Sequence, residues 1–168
     1  MKITAQEEYG LRCLLQLARA SDRGLTVREI ALKEGLSPAY VEKLLRLLGK
    51  AGIIRSVRGM KGGYLLHRKS QDISLGSVVR ALGKVPTTGE ICGQFTGNRD
   101  RCVHVDDCCI RAAWETLTVA IQSFLDNTFL SDLIGGGEKK VRHSLTPRMM
   151  PVQTRFTIKN TIQEDQLD

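Results

Sequence analysis

The chain has 168 residues, 42% of them apolar and 26% charged, which suits one soluble domain of ordinary size and excludes a wholly disordered chain. No uninterrupted apolar run approaches the roughly 20 residues of a bilayer-spanning helix. The first eight residues hold no apolar signal core, so the expectation is a cytoplasmic protein with no membrane contact. The net charge of +7 is concentrated: residues 1–70 carry 14 Lys and Arg against 6 Asp and Glu, and the remainder carries 11 against 12. A basic field confined to one part of a chain points to a polyanionic partner, nucleic acid before an anionic membrane. Aromatic residues are only 5%, so the core must be built from Leu, Ile, Val and Ala, which favours helices.

Thr4 and Glu7 form a Thr-x-x-Glu capping box, in which each side chain satisfies a backbone donor at a helix start. Leu11, Leu14, Leu15 and Ala18 follow at helical spacing, predicting a helix over about 5–20. Thr26 and Glu29 repeat the box before a short helix that stops at Gly35. Ser37 is a good N-cap and Pro38 suits the first helical position, so a third helix is predicted from Pro38 to about Lys50. Its apolar stripe is Val41, Leu44, Leu45 and Leu48. Ala39, Lys43, Arg46 and Lys50 fall on the opposite face.

Two short helices joined by a tight turn, the second basic on its outer face, read as helix-turn-helix. Residues 53–57 and 64–66 then read as strands around the turn Arg58 to Gly63, a β-hairpin wing whose tip carries Arg58 and Lys61. The functional reading is operator DNA. Lys43, Arg46 and Lys50 would face the major groove or its phosphates. Ser37, Ala39 and Tyr40, at the start of the helix, would lie near base edges, and Arg58 and Lys61 would reach a neighbouring minor groove or phosphate. Against this stands a winged helix used for protein contacts, its basic residues an ordinary solvated face.

Ser74 begins a fourth helix, with Leu75, Val78, Val79 and Leu82 on one side. From Ile110 a long amphipathic stripe runs through Ala113, Trp114, Leu117, Ile121, Phe124 and Leu125 to about Asn127, fit for the monomer core, a dimer seam or both. A last short turn covers 131–134. Beyond Gly135, apolar residues are sparse and no period survives, so 135–168 reads as a disordered tail. The predicted fold is mainly α: a winged helix-turn-helix over 1–85, a cysteine-bearing sensor loop over 86–108, a long C-terminal dimerisation helix over 109–134, and the tail.

Four of the five cysteines, Cys92, Cys102, Cys108 and Cys109, fall within 18 residues. In a reducing compartment this favours metal binding or redox chemistry over structural disulfides. Nine residues separate Cys92 from Cys102 and five separate Cys102 from Cys108. Three thiolates and one further donor are a natural set for an iron–sulfur cluster. A zinc site, a thiol switch and inert reduced cysteines remain open alternatives. Cys109, adjacent to Cys108, is expected to pack. His104 reads as a solvated loop histidine, with a ligand role as its alternative. Cys13 reads as a small buried hydrophobe.

With wing and cysteines placed, the chain resembles the bacterial winged-helix redox and iron–sulfur transcription regulators that include IscR, NsrR and CymR. The similarity covers about residues 1–134. It is carried by residues 1–4 with Tyr9, by Leu36-Ser37 with the run Tyr40 to Leu44, and above all by the wing from Ser56 to Leu66. The resemblance implies a homodimer on a pseudo-palindromic operator, with the helix over about 109–127 as its seam and each wing in a minor groove. It also implies a regulator, more often a repressor, whose cluster (2Fe-2S or 4Fe-4S) on Cys92, Cys102 and Cys108 senses redox state, nitric oxide or iron–sulfur status.

Members without the cysteine triad do not bind a cluster. IscR-like members place a histidine ligand three residues after the last cysteine, where this chain has Arg111, which cannot ligate. NsrR-like members use a carboxylate near the start of the first helix, given by the partner subunit, and the matching residue is Glu8. The nine-residue gap also departs from the usual five. The alternatives to a cluster sensor are a thiol–disulfide or zinc sensor on the same DNA-binding regulator, and a protein-interaction or cluster-delivery module. No phosphate-binding glycine loop, nucleophile elbow or HExxH motif points to an enzyme.

Overall fold

The structure, a computed structural model, describes residues 3–20, 22–59, 62–85, 87, 102–104 and 107–134. Cys92, Lys61 and the tail 135–168 lie outside the described residues. In chain order the elements are α1 (Ala5–Arg19), α2 (Val27–Glu34), α3 (Pro38–Lys50), β1 (Ile54–Val57), β2 (Gly63–Leu66), a 3₁₀ turn (Ser70–Asp72), α4 (Leu75–Leu82), α5 (Arg111–Asp126) and α6 (Leu130–Ile134). The first four helices form within a residue or two of their predicted bounds, because their caps are written in the sequence. Both capping boxes are complete, Thr4 with Glu7 and Thr26 with Glu29. The Ser37 hydroxyl accepts from Tyr40 N at 3.3 Å, and α2 ends on Gly35 in the left-handed region at φ 65°, where glycine carries no Cβ penalty.

Leu14, Leu17, Ile30, Leu44, Leu45, Leu48, Ile53, Ile73, Leu82 and Leu130 are fully or almost fully buried in one core. Placing these aliphatic side chains there is the main favourable term in folding. α1 lies across α3 and α4, and Gly10 of α1 is seated against Leu82, where a Cβ would collide. The wing pairs antiparallel with Ile54 opposite Leu66 and Val57 opposite Gly63. Its return strand is also hydrogen-bonded to the residue before α2: Tyr64 N donates to the Leu25 carbonyl at 2.8 Å, and Leu25 N donates back at 3.1 Å. Gly63, at φ 156°, allows that approach, since a Cβ would sit 2.7 Å from the Leu25 oxygen.

The segment expected as one unit over 109–134 consists of two pieces. α5 ends at Asp126, and the chain then returns so that Leu130 of α6 joins the core beneath α1. The two halves of α5 differ. No residue from 110 to 117 is buried, whereas Thr118 and Leu125 are, and Ile121 and Phe124 are half-buried.

Candidate DNA interface and cysteine site

α3 presents Ser37, Ala39, Lys43, Arg46 and Lys50 to solvent, and Arg58 is exposed at the head of the wing turn. The stripe Val41, Leu44, Leu45, Leu48 faces inward, so the basic face is fixed outward by the burial of its opposite. Tyr40 is half-buried. Its ring meets that of Tyr9 edge-on, with centroids 6.3 Å apart and planes at 79°, a favourable aromatic geometry. Only part of Tyr40 is thus left for contact outside the fold. Glu42 is also exposed beside the basic stripe. It is an acceptor-only side chain of the kind that takes a hydrogen bond from a cytosine amino group.

Glu8 stands in the first turn of α1 with its side chain 50% exposed. Its neighbour Glu7 turns inward to close the capping box: Thr4 N donates to Glu7 Oε2 at 2.7 Å. Sequence reasoning missed Arg12, four residues on from Glu8, a spacing that places both on one helix face. Arg12 Nε donates to Glu8 Oε1 at 2.8 Å, and this bond holds the guanidinium pKa above its ordinary value. Arg12 also reaches Glu34 Oε2 at 3.8 Å and lies over the Tyr9 ring at 6.0 Å from its centroid. Glu8, Arg12, Tyr9 and Tyr40 therefore form one contact chain from the start of α1 to the start of α3.

The same corner is where the chain leaves α4 for the cysteine segment. Gln6 donates its side-chain amide to the Leu82 carbonyl, and Glu7 packs where a Cβ on Gly83 would fall. Cys102 and Cys108 are half-buried, and Cys108 lends its carbonyl to Arg111 N at 3.2 Å. Thiols and a carboxylate are donors that iron accepts. Among the described residues, no three His, Cys, Asp or Glu side chains of one chain come close enough to hold a metal ion. Cys109, expected to pack, is exposed instead, because the turn before α5 directs it away from the core. His104 is exposed as expected. Cys13 is fully buried, and burial pushes its thiol pKa up to about 11.

A groove of about 550 Å³ runs between α1, α4 and α5, lined chiefly by Ile3, Leu11, Val78, Val79, Ile121 and Phe124, with Glu7 and Glu8 at its edge. Earlier in the chain, at helical spacing from Ile121, stand the apolar side chains Ile110, Trp114 and Leu117, which are 59%, 43% and 49% exposed.

A family model described as Rrf2, iron-dependent transcriptional regulator, matches residues 3–136. The protein rrf2 of Nitratidesulfovibrio vulgaris is 36% identical over 135 residues, 80% of this chain and 87% of that protein. The HTH-type transcriptional regulator IscR of Sodalis glossinidius is 32% identical over 139 residues, 82% of this chain and 81% of that protein. Among solved structures, the global cysteine regulator CymR of B. subtilis superposes with a TM-score of 0.65 at 29% identity, covering 80% of this chain and 96% of that one. IscR of T. potens superposes with a TM-score of 0.64 at 29% identity, covering 83% and 90%.

Proposed function

Since the chain belongs to the Rrf2 family of transcriptional regulators and is a DNA-binding regulator rather than an enzyme, we propose that it is a homodimeric repressor controlled by an iron–sulfur cluster on Cys92, Cys102, Cys108 and Glu8. The observation that carries the reading is the corner where Glu8, the exit from α4 and the contact chain to α3 meet. A donor at Glu8 is mechanically joined to the helix that faces DNA. Arg12 holds Glu8 through Oε1, which orients the carboxylate and leaves its second oxygen as the one to ligate. Tyr9 and Tyr40 pass any shift of that turn to the start of α3. Such a cluster supplies redox and nitric oxide chemistry and can be two- or four-iron.

A second copy of this chain is the proposed occupant of the apolar groove. One chain carries both the groove and, on the same face of α5, the bare ridge Ile110, Trp114 and Leu117. A two-fold axis pairs each with the other. The partner's α5 would then bring its cysteine end toward Glu8, in keeping with a carboxylate given across the dimer. On DNA, Lys43, Arg46, Lys50, Arg58 and Lys61 meet phosphates and grooves, while Ser37, Ala39 and the open part of Tyr40 stand near base edges.

The test is anaerobic purification with visible absorption, iron and sulfide measured, followed by replacement of Glu8 and of each cysteine. Stoichiometric sulfide that falls in the Cys92, Cys102 and Cys108 variants supports the reading. A Glu8→Ala variant with an unaltered cluster spectrum and unaltered regulation removes Glu8 from the set. A colourless protein, even after reconstitution, favours the second reading, a thiol sensor. That reading has its own observation in exposed Cys109 beside Cys108.

A further inference from the structure

α5 is tied to the DNA-binding unit at its C-terminal end. Asp126, its last residue, accepts from Arg80 of α4 at 2.6 Å through Oδ1. The same oxygen lies against Gly76, one turn earlier on α4, in the place a Cβ would take. Glycine inside a helix is unfavourable relative to alanine, so its presence at 76 calls for a reason, and the seat it gives the Asp126 carboxylate is one. The chain beyond is hydrogen-bonded to the entry of α4: Leu75 N donates to the Thr128 carbonyl at 2.8 Å, and Leu130 N to the Ile73 carbonyl at 2.9 Å. The buried Thr128 hydroxyl closes back on the Phe124 carbonyl at 2.7 Å.

The backbone bonds fix the point from which α5 departs, and the Gly76–Arg80–Asp126 contact trims the angle that the burial of Leu125 and Thr118 sets. A helix held at two separated points on one end does not swing freely. At 1.5 Å per residue α5 is about 24 Å long, so a turn of about 10° at the joint moves its far end by about 4 Å. That far end carries the bare ridge.

We propose that Gly76, Arg80 and Asp126 are positioning residues that set the distance between the two α3 helices of a dimer, and hence the half-site spacing the regulator accepts. This rests on the dimer reading above. The Arg80 and Asp126 side chains are 51% and 45% exposed, and exposed ion pairs add little to stability, so their loss leaves the fold in place.

The test uses duplexes selected from a random pool by the full-length wild-type protein, then remade with one base pair added or removed at the centre. Wild type is expected to reject both altered spacings. Arg80→Ala and Asp126→Ala are expected to bind the selected duplex no more than about fivefold more weakly, the limit for an exposed pair, while their rejection of the altered spacings shrinks. The charge-reversed pair Arg80→Asp with Asp126→Arg is expected to restore it only in part, because the longer side chain at 126 does not fit the Gly76 seat. Gly76→Ala, which displaces the carboxylate, is expected to match Asp126→Ala and to add nothing to it in the double variant. Folded variants with wild-type spacing rejection overturn the inference. A wild type that binds one copy per duplex, indifferent to spacing, overturns the dimer reading and this inference with it, by a distinct sign.

Discussion

The two halves of α5 both carry apolar side chains and have opposite surroundings. From Thr118 onward α5 buries Thr118 and Leu125 against the rest of the chain, while Trp114 and Leu117 before that point, and Ile110 just ahead of the helix, are exposed along the same face. An isolated helix of such length is marginal in water, and helices in proteins are held mainly by packing of an amphipathic face. One half has its packing within the chain. The other carries an apolar stripe that stays exposed among the described residues, the pattern expected of the proposed subunit contact.

The largest expected effect comes from breaking the bare half. Replacing Trp114 and Leu117 with Glu should turn a dimer into a monomer in sedimentation. Operator affinity should fall on the order of 100-fold as linked half-site binding is lost, with the thermal transition of the core retained. Dimers that persist would return the ridge to the status of a solvated surface.

The next effect comes from the half that is covered. Leu130, fully buried just beyond α5, anchors the returning chain under α1. Leu130→Ala should cost about 2–5 kcal/mol in denaturant unfolding without changing subunit number at concentrations where the protein stays folded. A loss below about 1 kcal/mol would mean the returning segment is peripheral to the core.

A smaller change separates α3 from both halves. Arg46→Ala should leave stability alone and weaken DNA binding at all sequences. It should lower the slope of log affinity against log salt by about 0.9, one phosphate contact. An unchanged slope would take Arg46 off the backbone.

Much of this was legible in the sequence because it is local. Capping boxes at Thr4 and Thr26, the Ser37-Pro38 start and the wing glycines fix each element within a few residues, and the 3.6-residue stripe of α3 dictates which side chains face out. What depends on contacts far along the chain was not legible. Nothing near Leu130 marks it as a core residue of the first 85, and nothing near Gly76 names Asp126 as its neighbour. Tyr40 was read from its place at a helix start, yet its ring is partly taken by Tyr9, 31 positions earlier. Arg12 lies at i+4 from Glu8, a spacing the sequence shows, whereas its reach to Glu34 depends on how α1 and α2 pack. Of the cysteine set, Cys102 and Cys108 fall within the described residues and Cys92 outside them, so the site rests on spacing and resemblance more than the DNA interface does.

The smallest effect contrasts the two cysteines that sequence reasoning assigned alike to packing. Cys109 is exposed, whereas Cys13 is fully buried with its pKa raised from 9.0 to about 11, first by desolvation and then by the nearby Glu34 carboxylate. The thiolate is the reactive form, so in cluster-free protein near neutral pH an alkylating reagent should modify Cys109 and leave Cys13 untouched until the chain unfolds. The raised pKa also has a sign in stability. The folded state favours the protonated thiol, so the Cys13 contribution is fully present below the unfolded-state value and is lost as pH rises through about 11. Wild-type stability should therefore fall between about pH 9 and 11 with a component that Cys13→Ala lacks. That component appears as a difference in slope between the two proteins even though the alanine variant starts from a lower stability. Parallel slopes, or rapid labelling of Cys13 in the folded protein, would show that α1 opens to solvent far more readily than its packing against α3 and α4 implies.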